Sequence, residues 1–351
     1  MHITRVLAKL EPGGAQLSLL RVARALAARG HPTRLLVGYA TEAGIAMARA
    51  HGVEPELMGS DDDLQWRCDP AFVDWLEPRL GDADVVHAHM FGAWSAAAQS
   101  MPAGVPLLAS EHNDYAWPGE PQLDAMAEAI DRIDHFYAHS PGARAEILRA
   151  GLPAGRVVRG VSPVEGFDAA ERDGLPRPRI VFTGRLTADK GPDVLVDAVA
   201  LMEDPPPVYL LGSGKMERAL RNKIAKAGLE DVIQLCGWVD DPAPWVRRAS
   251  VQVCPSRDEA FSQSAVLAMG LGVPVVGTRV DGFPETLALN RGLIVEPADA
   301  PALATALEDL LTRRRRTDVA GARAWAQQFH ISRIASLYER DYVELCEPVP
   351  A

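Results

Sequence analysis

The sequence predicts an α/β protein built from two doubly wound, Rossmann-like parallel sheets. With 351 residues the chain has room for two ordinary domains of about 100 to 200 residues each. Short β-branched runs alternate with Ala- and Leu-rich runs of helical period in both halves, the pattern of strand–helix–strand units. Between the halves lies VSPVEGFDAAERDGLPRPR, Val161 to Arg179, rich in Pro, Gly and charge and without sustained period, which makes it the linker candidate.

In the first half ITRVLA, RLLVG, DVVHAH, VPLLAS and HFYAHS read as strands. AQLSLLRVARALAARG, EAGIAMARAHG, AFVDWLEPRL and PGARAEILRAG read as helices, their apolar residues recurring with a period near 3.6. In the second half the strands are IVFTG, PPVYLLG, DVIQLCG, SVQVCP, VPVVGT and GLIVEP, separated by helices such as PDVLVDAVALM and KMERALRNKIAKAG. Sheets of this kind present their ligand loops at the carboxyl ends of the strands, and two facing one another would form a cleft. There is no internal repeat of about 20 to 50 residues and no low-complexity tract.

Composition narrows the functional classes. The apolar fraction is 48%, yet no apolar run reaches the roughly 18 residues of a transmembrane helix, and MHITRVLAKLEPGG runs into a glycine turn too early for a signal peptide. Four cysteines, Cys68, Cys236, Cys254 and Cys346, show no CxxC spacing, so neither a zinc site nor a disulfide framework is indicated and a reducing cytoplasm is expected. The net charge is −11, and the 14 basic and 21 acidic side chains up to Glu165 place about −7 of it in the first half. Such a field repels phosphate backbones and acidic lipid heads, so neither nucleic acid nor strong membrane association is expected. The basic run Arg313 to Arg316 follows a helical stretch and reads as cations at a helix C-terminus facing water.

Several segments carry chemistry. Pro12-Gly13-Gly14-Ala15 follows the first strand and opens a helix, so it is either a tight turn or a place where helix amides meet an anion. His87 and His89, two apart on one strand, share a face, and His112 ends the next strand. Packing, substrate contact and a metal site are all open to these three, although no acidic or sulfur ligand stands at a matching spacing. In FTGRLTADKG a strand ends at Gly184, and Arg185 and Lys190 precede a helix, a cradle for a diphosphate or else a solvated loop. LLGSGKMERAL repeats that design with Gly212, Ser213 and Gly214, which are placed to line a base pocket. In PSRDEAFSQSAVLAMG the acid Glu259 stands between a strand and a helix, where it can accept hydrogen bonds from a ligand or simply complement the helix N-terminus.

Together PGGAQ, DVVHAH, SEHN, FTGRLTADKG, LLGSG, QLCGWVDD, PSRDEAFSQSAVLAMGLGVPVVGT, DGFPETL and GLIVEPADAPALATAL resemble, in order, the GT-B glycosyltransferases of the retaining family 4. The likeness is more specific in the C-terminal half. The resemblance implies an acceptor-binding domain over 1–165, a nucleotide-sugar-binding domain over 166–330 and a C-terminal helix, 331–351, crossing back to the first. It implies transfer from a nucleotide-diphospho-sugar, a UDP-sugar or alternatively a GDP-sugar, to a hydroxyl of a soluble small molecule or saccharide. Retention at the anomeric carbon and no required metal or other cofactor are implied as well. Carried over by position, Gly13 and Gly14 lie by the diphosphate and Arg185 and Lys190 hold its oxygens. His112, Glu259 and the backbone amides around Phe261 and Ser262 contact the donor sugar.

The sequence departs from that family's pattern at one place. The usual Glu-Gly-Phe-Gly is Glu-Ala-Phe-Ser here, with Ala260 and Ser262 for glycines, and Leu267 replaces a second Glu that in the family grips the nucleotide ribose. Gln263 and Ser264 share a helical face with Leu267 and are candidates to take over part of that contact. A GT-B epimerase or disaccharide phosphorylase, and a non-catalytic sugar-nucleotide-binding protein, stay open as alternatives. The acids Asp61, Asp62, Asp63, Glu111 and Asp114 suggest an acidic first-domain surface and a neutral or cationic acceptor, such as an aminated sugar or cyclitol.

Overall fold

Seven parallel strands form the first sheet: β1 (Ile3–Leu10), β2 (Thr33–Ala40), β3 (Pro55–Leu57), β4 (Val85–His89), β5 (Leu107–Glu111), β6 (His135–Ala138) and β7 (Val157–Arg159), in the order β3-β2-β1-β4-β5-β6-β7. Ile3, Val6, Leu7, Ala8 and Leu10 of β1 are all buried, as expected of a strand covered on both faces. One face, to which Phe136 of β6 contributes, packs under Phe72, Phe91 and Trp94. Near the amino end of the sheet the other face carries Ile3, Val85, Leu108 and Tyr137. They pack with Val22 and Leu26 from helix Gly14–Ala27 and with Ile334, Tyr338 and Tyr342 from helix Ile331–Cys346. The spacing of Ile334, Tyr338 and Tyr342 puts them on one stripe of that helix. The edge strands β3 and β7 escape the sequence reading because three residues each, PEL and VVR, are too few to show a period.

The second sheet has six parallel strands, β8 (Ile180–Thr183), β9 (Val208–Leu211), β10 (Ile233–Gly237), β11 (Val251–Cys254), β12 (Val275–Thr278) and β13 (Leu293–Val295), in the order β10-β9-β8-β11-β12-β13. Its core includes Phe182, Leu195, Leu210, Val253, Val276 and Leu307. In each sheet the strand order reverses once, between β1 and β4 in the first and between β8 and β11 in the second. The crevice at the carboxyl ends beside such a reversal is where open α/β sheets bind ligands.

These features belong to a computed structural model that describes residues 1–112, 118–170 and 179–347. Two compact units result, Met1–Pro163 with the helix Ile331–Cys346, and Val164–His330. The start of the linker candidate is built into the second unit: Val164 bridges His330, donates from its N–H to the Phe329 carbonyl at 2.8 Å, and is buried along with Phe167. Its residues 171–178 lie outside the described residues. Among the described residues no helix is long and apolar enough to cross a membrane.

Candidate functional site

At the reversal of the second sheet, the loops leaving β8 and β11 are tied together. Gly191 closes the first loop at φ +64, and a Cβ on it would lie 2.0 Å from the Pro255 carbonyl oxygen, so only glycine fits. The Arg257 and Asp258 amides donate to the Asp189 carbonyl at 2.6 and 3.2 Å. The Arg257 guanidinium reaches Asp193 through two parallel bonds of 2.8 and 2.7 Å and the Ala188 carbonyl at 2.9 Å. This two-pronged bond sets the distance between the loops. In the sequence, Arg257 is marked only by its place two residues before Glu259 in PSRDE.

Lys190 and Glu259, far apart in sequence, meet as a result. Lys190 Nζ lies 3.2 Å from Glu259 Oε2 and 3.3 Å from the Asp258 carbonyl, while Ser256 Oγ donates to Glu259 Oε2 at 3.4 Å. Arg185 joins the same cluster through Asp189, 3.3 Å from one Nη2, with Lys190 Nζ 3.7 Å from that carboxylate. Burial acts to raise the Asp189 carboxyl. The nearby Thr187 hydroxyl and the charges of Lys190 and Arg185 outweigh it and hold the carboxyl below its usual range. Asp193 is likewise held low, burial being outweighed by Arg257. The cluster therefore sets the Lys190 and Arg185 side chains beside a half-enclosed carboxylate.

Gly184, Gly212, Ser213 and Gly214 are accounted for by how closely the loops after β8 and β9 approach. Gly184 N–H donates to Leu211 O at 3.0 Å and Leu186 N–H to Ser213 O at 2.9 Å. A Cβ on Gly212, at φ +148, would stand 1.9 Å from the Gly184 carbonyl oxygen, and one on Gly214 2.5 Å from that of Leu186.

The helix Gln263–Gly270 starts at Ser262, whose hydroxyl accepts from the Ala265 amide at 3.3 Å, as an N-cap should. Ser262 and Ser264 hydroxyls lie 3.1 Å apart, and Ser264 Oγ is 3.5 Å from Cys254 Sγ, whose thiol burial pushes up to about 11. The Phe261 ring packs on Phe329 with centroids 5.0 Å apart, and Gln263 is half-buried. Leu267 is only 6% exposed. Its Cδ1 and the Ala243 Cβ lie 3.7 and 2.8 Å from where a side chain on Gly166 would begin, so the leucine sits in an apolar seat within this unit.

In the first unit Gly13 and Gly14 stand at the carboxyl end of β1, where Gly13 accepts from the Leu17 amide at 2.9 Å to open helix Gly14–Ala27. His87 and His89 stack at 4.0 Å between centroids, and His112 stacks on His139 at 3.8 Å. Burial lowers all four imidazoles below their ordinary pKa, His112 to about 4. Among the described residues no group of three or more His, Cys, Asp or Glu is arranged to hold a metal ion.

Of the acids expected on a first-domain surface, Asp61 and Asp63 are exposed, the Asp62 side chain lies outside what the structure describes, and Glu111 needs correction. Glu111 is wholly buried; it accepts from Trp94 Nε1 at 3.3 Å and from the His112 amide at 3.1 Å, because it ends a central strand beneath a helix. Asp61 is paired with Arg67 at 3.1 Å, which holds its carboxyl low, and Asp114 lies outside the described residues.

Family models agree with this architecture: the one described as Glycosyltransferase Family 4 matches residues 12–159, and Glycosyl transferases group 1 matches 177–313. The D-inositol 3-phosphate glycosyltransferase of Arthrobacter sp. is 30% identical over 297 residues, 75% of this chain and 70% of that protein. That of Streptomyces avermitilis is 30% identical over 279 residues, 67% of this chain, so the match spans only 59% of that relative's length. Among solved structures, Anabaena HepE in complex with UDP and glucose is similar with TM-score 0.82 at 21% identity, covering 98% of this chain and 99% of that one. A glycosyltransferase from Rickettsia africae has TM-score 0.78 at 18% identity over 99% of both chains. The chain thus belongs to glycosyltransferase family 4 and has the GT-B fold of two Rossmann-like parallel-sheet domains.

Proposed function

We propose that the protein is a retaining, metal-independent glycosyltransferase that moves a sugar from a nucleoside diphosphate to a hydroxyl of a soluble small-molecule or saccharide acceptor. The observation that carries this reading is the meeting of Lys190 and Glu259, 3.2 Å apart, at the strand-order reversal of the second sheet. When the bond between the anomeric carbon and the diphosphate breaks, its electron pair leaves with the phosphate oxygen. Lys190 and Arg185, just before the positive end of helix Pro192–Ala200, neutralise that charge in the role a metal ion would otherwise fill. Glu259 accepts hydrogen bonds from donor-sugar hydroxyls and orients the ring, and His112 is a further donor-sugar contact. The backbone around Phe261 and Ser262 serves the sugar, Gly13 and Gly14 the diphosphate, and Gly184 and the Gly212–Gly214 turn the nucleotide.

UDP is the favoured nucleotide, because it is the one bound in the HepE complex, with GDP as the second choice. The names of the inositol phosphate relatives support a small polyol as acceptor. Incubation with UDP- and GDP-sugars and a panel of polyols, read by nucleotide release and by the anomeric configuration of the product, tests the proposal. Acceptor-dependent release with the donor's configuration kept is expected. An inverted product contradicts retention, and release without acceptor points to an epimerase or hydrolase instead.

A further inference from the structure

Arg5 lies in the middle of the first sheet, 0% exposed, and among the described residues no carboxylate pairs with it; its Nε and Nη2 are buried without hydrogen-bond partners. One nitrogen, Nη1, faces two imidazoles: it is 3.4 Å from His87 Nδ1 and 3.3 Å from His89 Nε2. A guanidinium has only N–H donors and keeps its proton, so each ring nitrogen it faces must be the bare, accepting one. His87 Nδ1 also meets Tyr342 Oη at 2.6 Å, and its Nε2 then donates to Ser110 Oγ at 2.7 Å.

His89 passes the same constraint outward. Burial keeps this imidazole neutral, with the charges of its neighbours acting in the same direction. With Nε2 bare, its one proton is on Nδ1. That atom lies 3.5 Å from His112 Nε2, which must accept, and the neutral His112 then carries its proton on Nδ1.

We propose that Arg5 is a positioning residue which, through His89, fixes the tautomer of His112, so that His112 presents Nδ1–H as a hydrogen-bond donor. Its consequence for transfer rests on the reading of His112 as a donor-sugar contact: a hydroxyl oxygen of the sugar accepts from that N–H. Without Arg5 the row of rings is free to exchange tautomers, and His112 offers a donor only part of the time.

The test is a long-range ¹H–¹⁵N correlation spectrum of the full chain labelled at histidine, near neutral pH and without any nucleotide sugar, with resonances assigned by single His→Gln variants. Expected are Nε2–H for His87 and Nδ1–H for His89 and His112. In Arg5→Met, His89 and His112 lose the uniform Nδ1–H signature, and Arg5→Lys, which keeps a charged donor, restores it. The Met variant is expected to fold, because a buried cation without a carboxylate partner is costly and an apolar side chain of similar length removes that cost. Nε2–H on His112 in the wild type overturns the proposal, as does an unchanged His112 tautomer in folded Arg5→Met. Should Arg5→Met fail to fold, the wild-type spectrum alone decides. No sugar donor enters the measurement, so a failure of the transferase reading shows in the activity assay and not here.

Discussion

At the reversal of the second sheet the polar groups are charged, paired and partly open to solvent, with Arg257 on Asp193, Lys190 on Glu259 and Arg185 on Asp189. Along β1, β4, β5 and β6 of the first sheet a row of buried imidazoles is held neutral around one cation, Arg5, with the buried Ser110 hydroxyl and Glu111 carboxylate on β5. One unit stores charge where a ligand can meet it, and the other hides its donors and acceptors from water and controls only where their protons sit. The first arrangement suits the electrostatic stabilisation of a leaving phosphate, and the second suits directional contact with an uncharged sugar.

The largest expected effect falls on the charged cluster. Lys190→Ala or Arg185→Ala lowers transfer by about 100-fold or more, the usual cost of removing a group that stabilises developing charge. Steady-state rates near wild type in both variants break the assignment of this unit to the diphosphate.

Next comes Leu267→Glu. A carboxylate placed in the apolar seat of Leu267, 6% exposed, loses its hydration without gaining a partner. The expected cost is on the order of 3 kcal/mol of stability, with a lower melting temperature and weaker nucleotide binding. A variant that melts no lower and binds nucleotide more tightly shows instead that the helix presents this position to the ribose.

The two units also differ in how acid weakens them. The His87, His89, His112 and His139 imidazoles have folded pKa values below their unfolded value of about 6.5, so they favour the folded state above that pH. This contribution fades as pH falls from about 6.5 toward the His112 value of about 4. Asp189 and Asp193, held low by their cations, lose theirs only as pH drops below about 4. Hydrogen exchange followed from pH 7 to pH 4.5 is thus expected to loosen the first unit before the second, and the reverse order contradicts the buried neutral row. The smallest effect concerns metal. Under the proposed role of Lys190 and Arg185, chelation with EDTA is expected to leave transfer within about two-fold of its original rate, because no metal is then needed at the leaving group; loss of activity restored by Mn²⁺ refutes that account.

Most of the fold was legible because a buried parallel sheet writes long β-branched runs such as VVHAH and VQVC into the sequence, and its helices repeat with a clear period. The edge strands Pro55–Leu57 and Val157–Arg159 were not, being shorter than any period. Arg185, Lys190 and Glu259, singled out by their place between strand and helix, do come together in one cluster. The Arg257–Asp193 bond was not legible, since it joins residues 64 apart and only the sheet order brings them together. Glu111 misled for a related reason: an acid in SEHN looks like surface until a tryptophan indole is found above it. Arg5 did carry a signal, a lone cation inside the apolar run ITRVLA, which alternation places on the same face as Leu7 and, across the sheet, beside His87.

The central claim is that the second unit's cations hold a diphosphate. Calorimetric titration of UDP and of uridine into the wild type and into Lys190→Ala tests it most directly, with GDP and guanosine run in parallel. The account predicts that the diphosphate binds the wild type at least ten-fold more tightly than the nucleoside, and that this gap closes in Lys190→Ala while nucleoside affinity stays the same. A diphosphate that binds wild type and variant alike, or no better than its nucleoside, contradicts it.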